Sequence, residues 1–277
     1  MRKILQIEVK RAFTNRGMLF AILAGTAIVS WHYFGEVLPT YQKQLELQQY
    51  MSQKDFNMIY PYNAFDIWMG GNSYTLQQYL YCLLIPVIAV LPYGCSYFQD
   101  TYSGFSKNIE IRINKKYYLL GKYIATFLSA GVAVIFPYIL SLFLTTATFP
   151  SLLPQNANYP AINNQSLWYE LFFRHPFAYL IFYFGIIFVY SGFIGGIALC
   201  AATFTRYRFV VFVVPMIVYI FFYSFGSLLG KKDMIPVYFL NPSFGKTSVI
   251  ALVLQCAGMF AFTCFSYFYG EIVSDRV

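Results

Sequence analysis

Residues 100–122 read DTYSGFSKNIEIRINKKYYLLGK, the longest polar and basic interruption between two apolar runs in this chain of 277 residues. Five of the 19 Lys and Arg lie in it (Lys107, Arg112, Lys115, Lys116 and Lys122), against only Asp100 and Glu110. A short loop with such an excess stays on the cytoplasmic side of a membrane, so the rest of the chain is oriented from it. The composition agrees: 58% of residues are hydrophobic, 21% aromatic and only 11% charged, far from the balance of a soluble domain. The net charge of +8 does not make nucleic acid a partner. Its basic residues stand in short segments beside apolar runs, where they set orientation and meet anionic lipid headgroups. Cys82, Cys95, Cys200, Cys256 and Cys264 fall inside apolar runs without metal-type spacing and read as small packing residues.

Upstream of the loop, Leu76 to Tyr97 forms a span carrying Pro86 and Pro92, prolines that remove backbone donors and bend the helix, as a gate or merely as packing. Pro39 to Thr75 is polar and then aromatic, with Tyr60, Tyr62, Phe65, Trp68 and Tyr74, which places it outside at the headgroup level. Gly17 to Val37 is a first span, uncharged until Glu36 and long enough to cross the hydrocarbon core. A cleaved signal peptide is the rival reading, against which the sixteen preceding residues are long for a signal's basic region. In residues 1–16, Leu5, Val9, Ala12 and Phe13 share one side and Lys3, Gln6, Lys10 and Thr14 the other, the spacing of an amphipathic helix lying along the cytoplasmic surface.

Downstream, Tyr123 to Thr146 is a span with Pro137 in its outer half, and residues 147–176 lie outside, with LWYELFFR (167–174) as a short interfacial helix. Phe177 to Phe204 follows, with Ser191 and Gly195, and Gly192 and Gly196, each four apart, so that two helices approach closely within one subunit or between two. The basic turn TRYR (205–208) leads into Phe209 to Leu229 with Pro215, and Val249 to Gly270 is the sixth span. IPVYFL (235–240) is too short to cross and too apolar for a free loop, and reads as a re-entrant or interfacial outer piece. Lys231, Lys232 and Lys246 oppose the orientation locally, but thirteen Lys and Arg fall inside against six outside. The expected fold is an all-α polytopic membrane protein: one domain of six spans over 17–277, an N-terminal interfacial helix, a cytoplasmic loop at 98–122 and both termini in the cytoplasm.

Catalytic material is sparse. Ile109, Ile111 and Ile113 alternate with Glu110, Arg112 and Asn114, which predicts a loop part helix and part extended. Gly245, Lys246 and Thr247 spell the end of a phosphate-binding loop, but Leu240 stands at its first glycine and Pro242 intrudes. Only His32 and His175 are present, too few for a metal site or a Ser/His/Asp triad. His32, one turn from Glu36, either marks an intramembrane functional site or simply satisfies that carboxylate.

The order of parts resembles the permease subunits of ABC-2 type transporters, ATP-binding-cassette exporters whose ATPases are often separate chains. The resemblance runs nearly end to end, from IEVKRAF in the first helix through LPYGCSYFQDTYSGFSKNIEIRINKKYYLLGK to the glycine-rich fourth span and its tight inner turn. In that family the loop after the second span docks on the ATPase through a coupling helix. The corresponding positions are similar to Asp100, Gly104, Arg112 or Lys115, and Gly121 with Lys122, with Lys107, Glu110 and Lys116 between them. Ile113 and Asn114 depart from the proline many members carry before the basic residue.

The resemblance implies a bacterial plasma-membrane exporter: a homodimer or heterodimer of permease chains on two cytoplasmic ATPase subunits. It implies no cofactor on this chain, ATP and Mg being on the partner, and a cargo that is an amphipathic peptide, antibiotic or lipid-like molecule. The alternatives are a non-transporting immunity or sensor protein that binds a peptide, and a polytopic membrane enzyme.

Overall fold

The computed structural model describes residues 2–52, 62–72, 75–154, 162, 165–241, 243 and 247–274. Helix α1 (Arg2–Phe13) stops where the Thr14 hydroxyl turns back to the Lys10 carbonyl at 2.7 Å. Asn15 then caps α2 (Arg16–His32), its side-chain oxygen accepting from the Gly17 N–H at 3.2 Å. The helix does not end at the first span's expected boundary. A π turn (Tyr33–Val37) leads directly into α3 (Leu38–Ser52), making Arg16–Ser52 one helix of 37 residues. Hydropathy and Pro39 suggested an outer loop from that proline onward. The π turn explains the difference, because the Leu38 N–H already reaches back five residues to the Tyr33 carbonyl, resetting the ladder just where Pro39 has no donor.

A short α4 (Ala64–Ile67) precedes α5 (Leu76–Val90), whose 15 residues rise only about 22 Å. The span expected over 76–97 is therefore shorter than its hydropathy. Pro92 stands beyond the last turn of α5 and ends it rather than bending it, with the Gly94 N–H closing onto the Val90 carbonyl at 2.9 Å. Pro86 is buried inside the helix.

The basic loop is helical: α6 (Ser96–Tyr102) and α7 (Phe105–Glu110) lead to α8 (Lys115–Thr148). The alternation at 109–113 makes no extended segment. The Ile113 N–H bonds to the Ile109 carbonyl at 2.9 Å in a tight turn, and α8 begins two turns before the expected start at 123 because Asn114 caps it, accepting from the Lys116 N–H at 3.0 Å. Lys115, Lys116 and Lys122 interrupt hydropathy but are good helix formers.

Then come α9 (Tyr169–Arg174), α10 (Pro176–Phe204) and α11 (Arg208–Leu228). A 3-10 turn (Lys232–Met234) leads to α12 (Pro236–Leu240), and α13 (Val249–Ser274) closes the described chain. Among the described residues five helices are long and apolar enough to cross a membrane, Arg16–Ser52, Lys115–Thr148, Pro176–Phe204, Arg208–Leu228 and Val249–Tyr269. The chain is thus all-α and of multi-pass membrane type.

The hub is α10, 67% of whose most apolar stretch is buried, against 22% for α11 and 17% for α13. Its small residues let neighbours come close: Gly192 faces Phe127, Gly195 faces Ala130 and Thr126, and Gly196 faces Tyr123 and Thr263, so the stripe meets α8 and α13 of its own chain. Ser191 is buried beside it. A Cβ at Gly25 of α2 would stand 2.2 Å from the Pro137 ring of α8, so that proline fills a helix contact. Pro215 is buried within α11. The segment expected to be re-entrant forms α12 and packs among α10, α11 and α13: Tyr183 donates to the Leu240 carbonyl, the Phe239 ring lies 5.0 Å from Tyr190, and Gln255 donates to the Met234 carbonyl. Residues 245 and 246 of the glycine-lysine-threonine string lie outside the described residues.

Candidate functional site: a buried ionic cluster under the basic loop

The stripe that α1 buries is Ile4, Glu8 and Ala12, one residue per turn, which places a carboxylate where an apolar contact belongs. Ile7 and Phe13, apolar in sequence, are exposed. This face lies along the first turns of α8, where Gly121 leaves room for Ile4 and Lys122 projects inward with its side chain 0% exposed. Such an ammonium needs partners, because an unpaired charge away from water costs several kcal/mol. Lys122 Nζ lies 3.4 Å from Glu8 Oε2 and in close contact with Asp100 Oδ2. The Tyr93 and Tyr118 rings flank it at 5.1 and 5.2 Å.

The second cation is Arg11. Its guanidinium takes Asp100 with both arms, at 2.9 and 3.2 Å, and reaches Glu8 at 3.1 Å. Tyr118 donates to Asp100 at 2.8 Å and Tyr93 to Glu8 at 2.5 Å. Two carboxylates and two cations thus cancel, and none of their buried side-chain atoms lacks a partner. Burial alone would push the Asp100 carboxyl up; Arg11 and Lys122 outweigh it and hold the group below its ordinary value. Burial would likewise lower the Arg11 guanidinium, and Asp100, with Tyr93 and Glu8, raises it instead.

Mechanically, the cluster is a clasp. Asp100 at the entry of the basic loop and Lys122 at its exit hold one another, and both hold α1. The loop between them projects outward. Gly104 joins α6 to α7 at φ 73°, a conformation that favours glycine. Arg11 lies over the Phe105 ring at 5.1 Å and ties α7 to α1 as well. Tyr102 and Ile111 are 85% and 84% exposed at the tip, beside exposed Lys107, Arg112 and Lys116. Lys115 is half-buried, and the Glu110 side chain lies outside the described set.

The sequence-marked residues therefore divide. Asp100 and Lys122 belong to the buried clasp, Lys107, Arg112 and Lys116 to the exposed tip, and Gly104 to the joint. His32 lies elsewhere, buried at the end of α2 with Nε2 unpaired among the described residues; Glu36 sits in the π turn, and no hydrogen bond joins the two. Glu8, Arg11, Tyr93 and Tyr118 were missed. A signal existed for Glu8, which falls three residues after Leu5 and four before Ala12, a charge on the apolar face of an amphipathic helix.

Comparison with known proteins finds no matching family model, no matching curated protein and no matching solved structure.

Proposed function

We propose that this chain is the membrane permease subunit of an ATP-driven exporter of the ABC-2 type, resident in a bacterial plasma membrane. It crosses six times, α5 with the turn behind it completing the crossing that its helix alone is short for. Both termini and the clasp are cytoplasmic, α1 lies at that interface, and α12 is the outer re-entrant piece. Two such chains, or one with a sister subunit, form the cargo path. The ATP and Mg sites lie on two partner ATPases. The cargo is an amphipathic peptide, antibiotic or lipid-like molecule.

One observation carries this reading: the basic loop is pinned at both ends while its tip exposes apolar and basic side chains together. Tyr102 and Ile111 are almost fully exposed there beside Lys107, Arg112 and Lys116, on a segment lying beyond the apolar helices, a mixed apolar and basic tip that a docked partner would cover. Leu240 and Pro242 break the phosphate-loop pattern that ends in Gly245, Lys246 and Thr247, and in this reading the energy comes from a partner. A force on α7 would pass through Phe105, Arg11, Asp100, Glu8 and Lys122 into α8 and α1 together, because those contacts join all three helices.

Mild detergent extraction from the native membrane, followed by identification and counting of what remains bound, tests the proposal. Two ATPase subunits per two permease chains are expected. A stable chain free of any ATPase rejects the exporter and leaves the peptide-binding and membrane-enzyme readings.

A further inference from the structure

On the loop side of the molecule, between the starts of α2 and α11 and the end of α5, lies a cavity of about 290 Å³. Its lining carries Arg16 and Arg208 and no Asp or Glu. Each arginine is the first residue of its helix, and four residues on, one turn deeper on the same face, stands a phenylalanine: Phe20 after Arg16, Phe212 after Arg208. Two helices thus repeat one pattern, a cation at the level where the chain enters the apolar layer and an aromatic ring about 6 Å below it. At the wall of the cavity the Ser96 hydroxyl is buried, 5% exposed, and has no hydrogen-bond partner among the described residues. A buried hydroxyl without a partner, lining the same cavity as two arginines, suits an acceptor-rich ligand.

We propose that this cavity binds a phosphate-bearing anionic headgroup, held by Arg16 and Arg208 with Ser96 as hydroxyl partner, and that its source is a bilayer lipid whose chains run down Phe20 and Phe212. The volume sits at the low end of small-molecule sites, roughly 300 Å³, and suits a headgroup with its chains left outside. Phe20 is 60% exposed on the flank where those chains would lie, a surface a free phosphate would not use. Tyr93 forms part of the same wall while its hydroxyl donates to Glu8. A bound headgroup therefore touches the back of the clasp. The inference is independent of the exporter reading, since it rests on the cavity alone.

The test is native mass spectrometry of the delipidated full chain after addition of phosphatidylglycerol, phosphatidylcholine or inorganic phosphate. Wild type retains phosphatidylglycerol over phosphatidylcholine, whose quaternary ammonium is repelled by the arginine pair. The R16Q/R208Q variant loses retention by about thirtyfold, from two basic side chains near an anionic headgroup, whereas R206Q, an exposed arginine on the same turn, keeps it. Equal retention of the two lipids by wild type overturns the proposal whether or not the variant folds, and so does undiminished retention in the double variant. Displacement of phosphatidylglycerol by inorganic phosphate at comparable concentration overturns the lipid source and assigns the site to free phosphate.

Discussion

The two ends of the molecule solve the same problem, polar groups away from water, with different chemistry. At the loop end, two carboxylates and two basic side chains meet across three helices, and the buried Lys122 depends on both carboxylates. At the opposite side of the core a set of neutral hydrogen bonds stands in their place: Tyr81 donates to the Val134 carbonyl at 2.7 Å, Tyr219 to the Cys82 carbonyl at 3.1 Å, and Gln78 to the Tyr138 hydroxyl at 3.2 Å. Rings fill the remaining space, with Trp68 edge-on to Tyr138, Tyr183 and Phe184. A neutral hydrogen bond between membrane helices contributes about 0.6 kcal/mol on average, and a hydroxyl can exchange one carbonyl for another. A charge stripped of its partner in a buried site costs about 3–5 kcal/mol. The ionic end is therefore a joint that holds or fails as a unit, whereas the tyrosine half loses little with any one bond.

The largest effect expected from breaking this contrast is at Lys122. Lys122→Met leaves Glu8 and Asp100 sharing one guanidinium, so the variant should lose about 3–5 kcal/mol, read as a lowered thermal midpoint in detergent. Adding Glu8→Gln should restore part of that loss, because charge balance returns; a double variant no better than the single one would show that Lys122 acts by packing. Next comes the close contact of α8 with α10. A Cβ at Gly192 would stand 2.5 Å from the Phe127 ring, whereas nothing lies within 4 Å of one at Gly185. Gly192→Ala should therefore cost about 1–3 kcal/mol, and Gly185→Ala on the same helix should cost nothing in the same melt.

The third expectation concerns pH. Asp66 of α4 has no basic partner among the described residues, and burial pushes its carboxyl up to about 6, against about 3.9 in an unfolded chain. The folded state then binds the extra proton, so the contribution of Asp66 to stability is greatest below about pH 4 and falls as pH rises toward about 6. Asp100 runs the other way: its folded carboxyl is depressed, so its contribution is present above the unfolded value of about 3.9 and lost only in stronger acid, as pH falls through its folded value. Asp66→Asn should flatten the fall between about pH 4 and 6 in a melting series; an unchanged slope would remove Asp66 as its source. The smallest effect belongs to the tyrosines. Tyr81→Phe should cost about 0.6 kcal/mol, and a loss as large as that at Lys122 would erase the distinction between the two ends.

Much of this architecture was legible because lipid imposes a simple rule, an apolar run of sufficient length. The bounds of α10, α11 and the start of α13 follow their hydropathy almost residue for residue. The rule fails where helix and apolar run part company. Arg16–Ser52 continues past Pro39 through a π turn that no composition signals, and α8 begins among lysines because a backbone cap, not hydropathy, starts a helix. Within the cluster, Asp100 and Lys122 stood out as the two ends of one loop. Glu8 and Arg11 did not, since pairing across 114 and 89 residues is a tertiary fact, and only the charge at Glu8 on an apolar stripe pointed toward it.

The most direct test of the account separates the tip of the basic loop from its clasp. Wild type and an R112E/K116E variant, both exposed positions, would be purified gently from the native membrane and assayed for a bound partner that hydrolyses ATP. The account expects the variant to reach the membrane at the wild-type level, melt at the wild-type temperature and come away without the ATPase that wild type retains. Equal ATP hydrolysis in both preparations, or none in either, would contradict it.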